Sequence, residues 1–153
     1  MRLIVQRVQR AAVRVGGEVA AEIGPGLDIL VGVRTTDTPA EAQGLAEKVA
    51  HLRIFSDEAG KLNRSVLEVG GAVLSVPQFT LYADASKGRR PSFVDAAGGT
   101  PAESIYEAFN RELQALGVPV AAGRFGAVML VEIFNDGPVT ILLERERADA
   151  GPA

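Results

Sequence analysis

Two segments of this chain hold residue types able to take part in chemistry, and neither offers an ordinary side-chain catalyst. The first is Val131–Leu142, where Asn135-Asp136-Gly137-Pro138 separates two strand-like runs. Such a succession of Asn, Asp, Gly and Pro is strong turn chemistry. Asp136-Gly137 alone would turn the chain, so Pro138 calls for an explanation. It fixes its own φ and removes a backbone donor, and an X-Pro bond is the one peptide link that becomes cis at modest cost. A turn stiffened this way holds its carbonyls in fixed directions, which suits a site that reads a ligand with main chain. The plain alternative is a tight hairpin joining the two runs.

The second segment is Val76-Pro77-Gln78-Phe79-Thr80-Leu81-Tyr82. A proline within an apolar strand pattern predicts an edge strand or a bulge. A bulge beside Gln78 and Thr80 would leave the Phe79 N–H unpaired and free to face a ligand. Thr80 is the nearest candidate nucleophile, but an unactivated hydroxyl is weak, and a β-branched residue serving a strand is the simpler account of its side chain. Further on, Lys87, Arg89 and Arg90 stand beside Phe93. Lys and Arg are the usual phosphate contacts, although such a run is also what a solvated loop looks like. No metal-ligand spacing, phosphate-binding loop or dinucleotide fingerprint occurs.

The single histidine, His51, falls on the helical stretch Pro39–Leu52, off the apolar face made by Ala42, Leu45, Ala46, Val49 and Leu52. It reads as solvated. With no cysteine in the chain, Ser-His-Asp and Cys-His machinery are excluded, as are disulfides and sulfur-ligated metals. The net charge of −3 over 153 residues argues against a strong non-specific nucleic-acid binder but leaves room for a local RNA contact. The length fits one domain with a sizeable core. Neither a signal-peptide core nor a membrane-length apolar run is present, so the expected location is the cytoplasm.

The elements that must position these residues follow from pattern. Residues 2–8 and 11–15 alternate as strands, Gly16-Gly17 turns into a strand over Glu18–Ile23, and Leu27–Val33 reads as a buried strand. Thr38-Pro39-Ala40-Glu41 predicts a capped helix start. Arg53-Ile54-Phe55 predicts a short strand, Ser56–Asn63 a polar turn, and residues 65–69 and 72–82 a strand pair about Gly70-Gly71. Thr100-Pro101-Ala102-Glu103 repeats the capping tetrapeptide before a second helix, marked by Ile105, Phe109, Leu113 and Leu116 and stopped by Gly117. A final hairpin is expected from Ala127–Phe134 and Val139–Glu144. The order predicts one α/β domain with mixed sheets and two helices.

Several of these stretches together resemble the D-aminoacyl-tRNA (D-tyrosyl-tRNA) deacylase family. Pro77-Gln78-Phe79-Thr80-Leu81 is similar to its Ser-Gln-Phe-Thr-Leu motif, and Asn135-Asp136-Gly137-Pro138-Val139-Thr140 to its second motif, whose Gly-Pro bond is cis. Val5-Gln6-Arg7-Val8, Leu52-Arg53-Ile54-Phe55, Lys87–Phe93 and Gly123–Met129 resemble further family stretches in the same order. The resemblance covers about residues 1–145 and leaves 146–153 as a polar, flexible tail. It implies a three-layer α/β/β fold and hydrolysis of the ester joining a D-amino acid, or glycine, to the 3′-terminal adenosine of tRNA. It further implies a homodimer whose sites each receive the neighbour's Gly-Pro turn, with no cofactor and no metal.

Carried over by position, Gly137 and Pro138 supply the carbonyls of a chiral filter, and the Phe79 N–H meets the scissile ester. Gln78 and Thr80 shape the site, while Phe125 and Met129, with position 77, line the adenosine pocket. Arg7 resembles the residue that holds the turn. Lys87, Arg89 and Arg90 are candidate tRNA contacts. The family's chemistry relies on the RNA 2′-hydroxyl, in keeping with the scarcity of side-chain catalysts here. One departure stands out: Pro77 replaces the motif's serine and so removes a hydroxyl and a backbone donor. The rival readings are a non-catalytic RNA- or nucleotide-binding dimer that kept the pocket, and a structural dimerisation module.

Overall fold

The computed structural model describes residues 1–148. Its elements are β1 (Arg2–Val15), β2 (Glu18–Ile23), β3 (Gly26–Gly32), α1 (Pro39–His51), β4 (Phe55–Ser56), β5 (Leu62–Arg64), β6 (Ala72–Pro77), a 3-10 turn (Phe79–Tyr82), α2 (Gly99–Ala115), β7 (Val120–Ala122) and β8 (Leu130–Glu144). The main sheet runs β2-β1-β3-β6-β7, with β8 on the other side of β1. β3, β6 and β7 are mutually parallel, whereas β2, β3 and β8 are all antiparallel to β1.

The two stretches of alternation near the start are one long strand. Its register against β8 slips between Gln6 and Val8 and again between Val8 and Arg10. A slip of this kind exchanges the faces of a strand. Leu3 and Val5 accordingly pack toward the helices with Leu27, Ile29, Leu45, Val49, Phe109 and Leu113. Val8, Ala11 and Val13 instead join Leu74 and Val76 in a second cluster, with Ile23 and Ile133 packed against it. β2 lies against β6 and β7 without pairing to them, so it covers the sheet face turned away from the helices. Three layers result, α/β/β, as the resemblance implies.

The first helix starts as expected. Thr38 accepts from the Ala40 N–H at 3.3 Å, and Glu41 reaches back to the Thr38 N–H at 2.7 Å. The second does not use its copy of the tetrapeptide: α2 begins at Gly99 with Gly98 as its cap and no side-chain cap bond. No helix among the described residues is long and apolar enough to cross a membrane.

Three sequence expectations are corrected. Residues 65–69 form turns and not a strand, because Ser65 and Glu68 exchange side-chain-to-backbone bonds at 3.2 Å each and wind the chain. β6 therefore pairs with no preceding hairpin partner; both its neighbours are parallel strands. The short strand expected over Arg53–Phe55 is shifted to Phe55–Ser56, where it pairs with Leu62–Arg64. The expected final hairpin is likewise absent: both halves of β8 lie along β1, Leu130–Asn135 against Val8–Arg14 and Thr140–Glu144 against Arg2–Gln6. The turn chemistry between them is real, but it bulges out of one continuing strand. Arg145 donates its N–H to the Met1 carbonyl at 2.9 Å, and Glu146 pairs with Arg34 at 2.9 Å. The start of the expected tail is thus tied down, and its end lies outside the described residues.

Candidate active site

In α/β sheets ligands collect beyond the carboxyl ends of parallel strands, and a cavity of about 640 Å³ opens there. β3 contributes Val31, with Val33 just after it, and β6 contributes Val76 and Pro77, followed by Gln78 and Phe79. The loop after β7 contributes Phe125 and Met129, and α2 contributes Ala102 and Tyr106. Phe93 completes the lip, with its ring edge-on to Phe79 at 5.1 Å between centroids.

Pro77 does not mark an edge or a bulge. It is the last residue of a central strand, opposite Val31 of β3. The next ladder bond runs from the Gln78 N–H to the Val31 carbonyl at 2.8 Å, and β7 pairs only with Val73, Leu74 and Ser75. The donor that proline lacks is therefore not missed. Past it the chain winds into the 3-10 turn, whose first amides have no acceptor within the turn. The expected bulge is thus replaced by a helical turn, with Phe79 as its first residue. Gly32 lets this turn sit so close to β3: a Cβ there would stand 2.9 Å from Leu81 Cβ and 3.3 Å from the Gln78 carbonyl. Phe79 is 55% exposed at the mouth.

Thr80 is exposed and does not line the cavity; its hydroxyl accepts from Gln78 Nε2. Its position links it to the site only through Gln78. His51 is exposed on α1, 3.5 Å from Glu47, as the helical pattern indicates. Lys87, Arg89 and Arg90 are exposed and stand outside the lining.

The lining contains no carboxylate, no cation and no histidine. Its one ionisable side chain is Tyr106, nearly buried, which donates its hydroxyl to the Ser75 carbonyl at 2.7 Å. Burial pushes the phenol above its ordinary pKa, so Tyr106 stays a neutral donor, and its ring stands 6.2 Å from that of Phe125. Sequence reading passed over this residue. The signal was present in an aromatic with a polar tip four positions before Asn110 and one after Ile105 on the inward face of α2. Polar work inside the cavity falls to main chain and to the Gln78 amide.

The Gly137–Pro138 segment lies elsewhere, beside Arg7, and lines no part of its own chain's cavity. The Gly137–Pro138 bond is cis. Gly137 has φ +137°, and a Cβ on it would meet Val139 Cγ2 at 2.8 Å and Arg7 Nη2 at 3.1 Å. Arg7 donates through Nε to the Asp136 carbonyl at 2.8 Å and through Nη1 to the Ile54 carbonyl at 2.9 Å. Asn135, to which the sequence gave no separate role, staples the bulge from inside. Its Oδ1 accepts the Val139 N–H at 2.7 Å, and its Nδ2 donates to the Val139 carbonyl at 3.2 Å and to Thr140 Oγ1 at 2.9 Å.

A three-layer α/β domain with an apolar cavity at the ends of its parallel strands has the form of a small-molecule site. The comparisons narrow this. The family model described as D-Tyr-tRNA(Tyr) deacylase matches residues 4–144, and the chain belongs to that family. It is 56% identical over 146 residues to a D-aminoacyl-tRNA deacylase of Shouchella clausii, covering 95% of this chain and all of that one. A Roseiflexus castenholzii protein of the same name is 58% identical over 144 residues, 94% of this chain and 92% of its own. Among solved structures, the c-Myc DNA unwinding element binding protein superposes with TM-score 0.90 at 42% identity, over 96% of this chain and 100% of that one. A probable eukaryotic D-amino acid tRNA deacylase shares the fold, with TM-score 0.80 at 15% identity over 93% of this chain and 97% of that one.

Proposed function

We propose that the chain hydrolyses the ester between a D-amino acid, or glycine, and the 3′-terminal adenosine of tRNA. It does so in the cytoplasm and as a homodimer. The observation that carries this reading is the composition of the cavity: large enough for an aminoacyl-adenosine, walled by apolar and aromatic groups, and without a side-chain base. Pockets of about 300–1,000 Å³ take ligands of that size. The adenosine lies against Phe125 and Met129, and the ester reaches the Phe79 N–H.

Water attacks the ester carbon, and the Phe79 amide receives the charge that develops on the carbonyl oxygen. The bond to the ribose 3′-oxygen then breaks; the neighbouring 2′-hydroxyl gives its proton to that leaving oxygen and takes one from the attacking water in return, so both hydroxyls are restored. Thr80 has no base to activate it, and Gln78 orients the aminoacyl end.

The chiral filter comes from a second copy. Because Gly137 and Pro138 stand away from their own cavity, the reading places their carbonyls in the other subunit's site, where they meet the substrate's amino group. A side chain of L configuration collides with them, and one of D configuration points out. Identity of the side chain goes unread, so a range of D-amino acids is accepted.

Release of labelled tyrosine from matched D- and L-tyrosyl-tRNA tests this. The expected outcome is fast release from the D form and none above background from the L form. Binding of both without release from either would favour a non-catalytic RNA-binding dimer.

A further inference from the structure

The cavity holds one aminoacyl-adenosine, so the nucleotides that precede the adenosine must leave over its lip. On one side of that lip a short hairpin projects. Asp84 and Ser92 close it with reciprocal backbone bonds, both at 2.8 Å, and Phe93 follows at once. Residues 86–90 bend the chain, and the tip Gly88 takes φ +92°.

The tip carries Lys87, Arg89 and Arg90. All are exposed, and among the described residues none makes a hydrogen bond or ion pair. In a chain of net charge −3 these three unpaired cations within four residues concentrate positive charge locally, whereas Arg2, Arg14 and Arg34 are each bonded to carboxylates. At the base of the hairpin the edge-on pair Phe79–Phe93 keeps much of both rings in solvent, and Val94 beside it is 83% exposed. A cationic strip next to open aromatic faces is the arrangement that holds single-stranded nucleic acid, phosphates on the charges and bases on the rings.

We propose that the hairpin Asp84–Ser92, with Phe93, is the subsite for the single-stranded 3′ end of the RNA: Lys87, Arg89 and Arg90 bind the phosphates just before the terminal adenosine, and Phe93 stacks the adjacent base. This rests on the hydrolase reading above and adds how that enzyme tells a tRNA end from an aminoacyl-nucleoside. The cations contribute to capture and not to the chemical step, because they lie outside the cavity.

The test compares D-tyrosyl-tRNA with 3′-O-D-tyrosyl-adenosine, using wild type and the triple variant Lys87→Gln, Arg89→Gln, Arg90→Gln. On the tRNA, kcat/KM should fall roughly 30-fold through KM, with kcat within about threefold. The slope of log(kcat/KM) against log salt should become shallower by about 2, at about 0.7 per lost single-strand phosphate contact. On the adenosine ester the triple variant should match wild type within about twofold. Phe93→Leu, which keeps an apolar lip but removes the stacking face, should cost roughly a further tenfold on the tRNA. Equal losses on both substrates, or none on the tRNA, would overturn the proposal. So would a shift of the triple variant to a smaller species in sedimentation, which would make the hairpin a contact between copies of the chain. Wild type that turns over neither ester would break the hydrolase reading instead. The subsite would then be judged by fluorescence anisotropy with uncharged tRNA, where undiminished binding by the triple variant overturns it.

Discussion

The Phe79 segment ends a regular strand and the Gly137 segment interrupts one, and different bonds hold each in place. Around Phe79 the work is done by main chain: Gln78 to Val31, Leu81 to Gln78 and Ala83 to Thr80, packed against the bare backbone of Gly32. Around Gly137 it is done by two side chains, Arg7 from outside and Asn135 from within. A bend built from backbone survives most side-chain truncations, whereas a bend held by side chains can be released by one. The proposed ester-binding amide is therefore the robust half of the site, and the proposed chiral filter is the half open to mutation.

The largest expected effect follows from that asymmetry. Hydrogen bonds to a charged donor are worth about 1.5–3 kcal/mol each, and Arg7→Ala removes two. Hydrolysis of D-tyrosyl-tRNA should fall by roughly a thousandfold, with discrimination against the L form narrowing at the same time. Arg7→Lys should not restore it, because an ammonium lacks the planar fork that spans both carbonyls. A lysine variant as active and selective as wild type would place the filter's rigidity elsewhere.

β3, on which the robust half rests, has a liability of its own. Asp28 sits on β3, fully buried, and neither carboxylate oxygen has a partner. Its strand neighbours are Gln6 on β1 and Leu74 on β6. Burial pushes its carboxyl from 3.8 up to about 7. The folded state thus keeps a proton that the unfolded chain has released, so stability is full below about pH 4 and is lost as pH rises to about 7. At about 1.36 kcal/mol per pH unit the loss approaches about 4 kcal/mol. Asp28→Leu should remove that dependence, making the variant more stable than wild type at about pH 8, with the gap shrinking toward about pH 5. Urea unfolding across this range measures it. A parallel decline in both proteins would show that the carboxylate finds water or a counter-charge.

Asn135→Ala should come next, with roughly a tenfold loss in kcat/KM, since it leaves the Val139 N–H without its acceptor at a cost of about 1–3 kcal/mol. Discrimination should weaken in the same assay, but less than for Arg7→Ala, because in Asn135→Ala the Arg7 guanidinium still holds the Asp136 carbonyl. If Asn135→Ala proves the more damaging, the inner staple and not the outer clamp sets the bulge. Thr80→Ala should do least, within about threefold, because its hydroxyl meets only Gln78.

What the sequence disclosed divides along similar lines. Features set by neighbours a few residues apart were legible: the Thr38–Glu41 box, the inward face of α1, the stop at Gly117. The copy at Thr100–Glu103 misled because a capping box exists only when the glutamate turns back, as Glu41 does. Asn-Asp-Gly-Pro reads as a hairpin because its chemistry is local. The strand that claims both its flanks, β1, lies more than a hundred residues upstream, and pairing over that distance leaves no mark in the turn. Asp28 was hidden in a run that reads as apolar. Pro77 pointed to a break in the strand before Phe79 but not to its form, since the 3-10 turn depends on Gly32 admitting Leu81.

The central claim is that main chain and RNA, without a side-chain base, carry out the hydrolysis. It is tested most directly by charging D-tyrosine on tRNA ending in either adenosine or 2′-deoxyadenosine and measuring single-turnover release by wild type and by Thr80→Ala. The account predicts that the deoxy substrate binds but stalls with both proteins, while Thr80→Ala stays close to wild type on the ribose substrate. Turnover of the deoxy ester at the wild-type rate, with Thr80→Ala inactive on both, would contradict it.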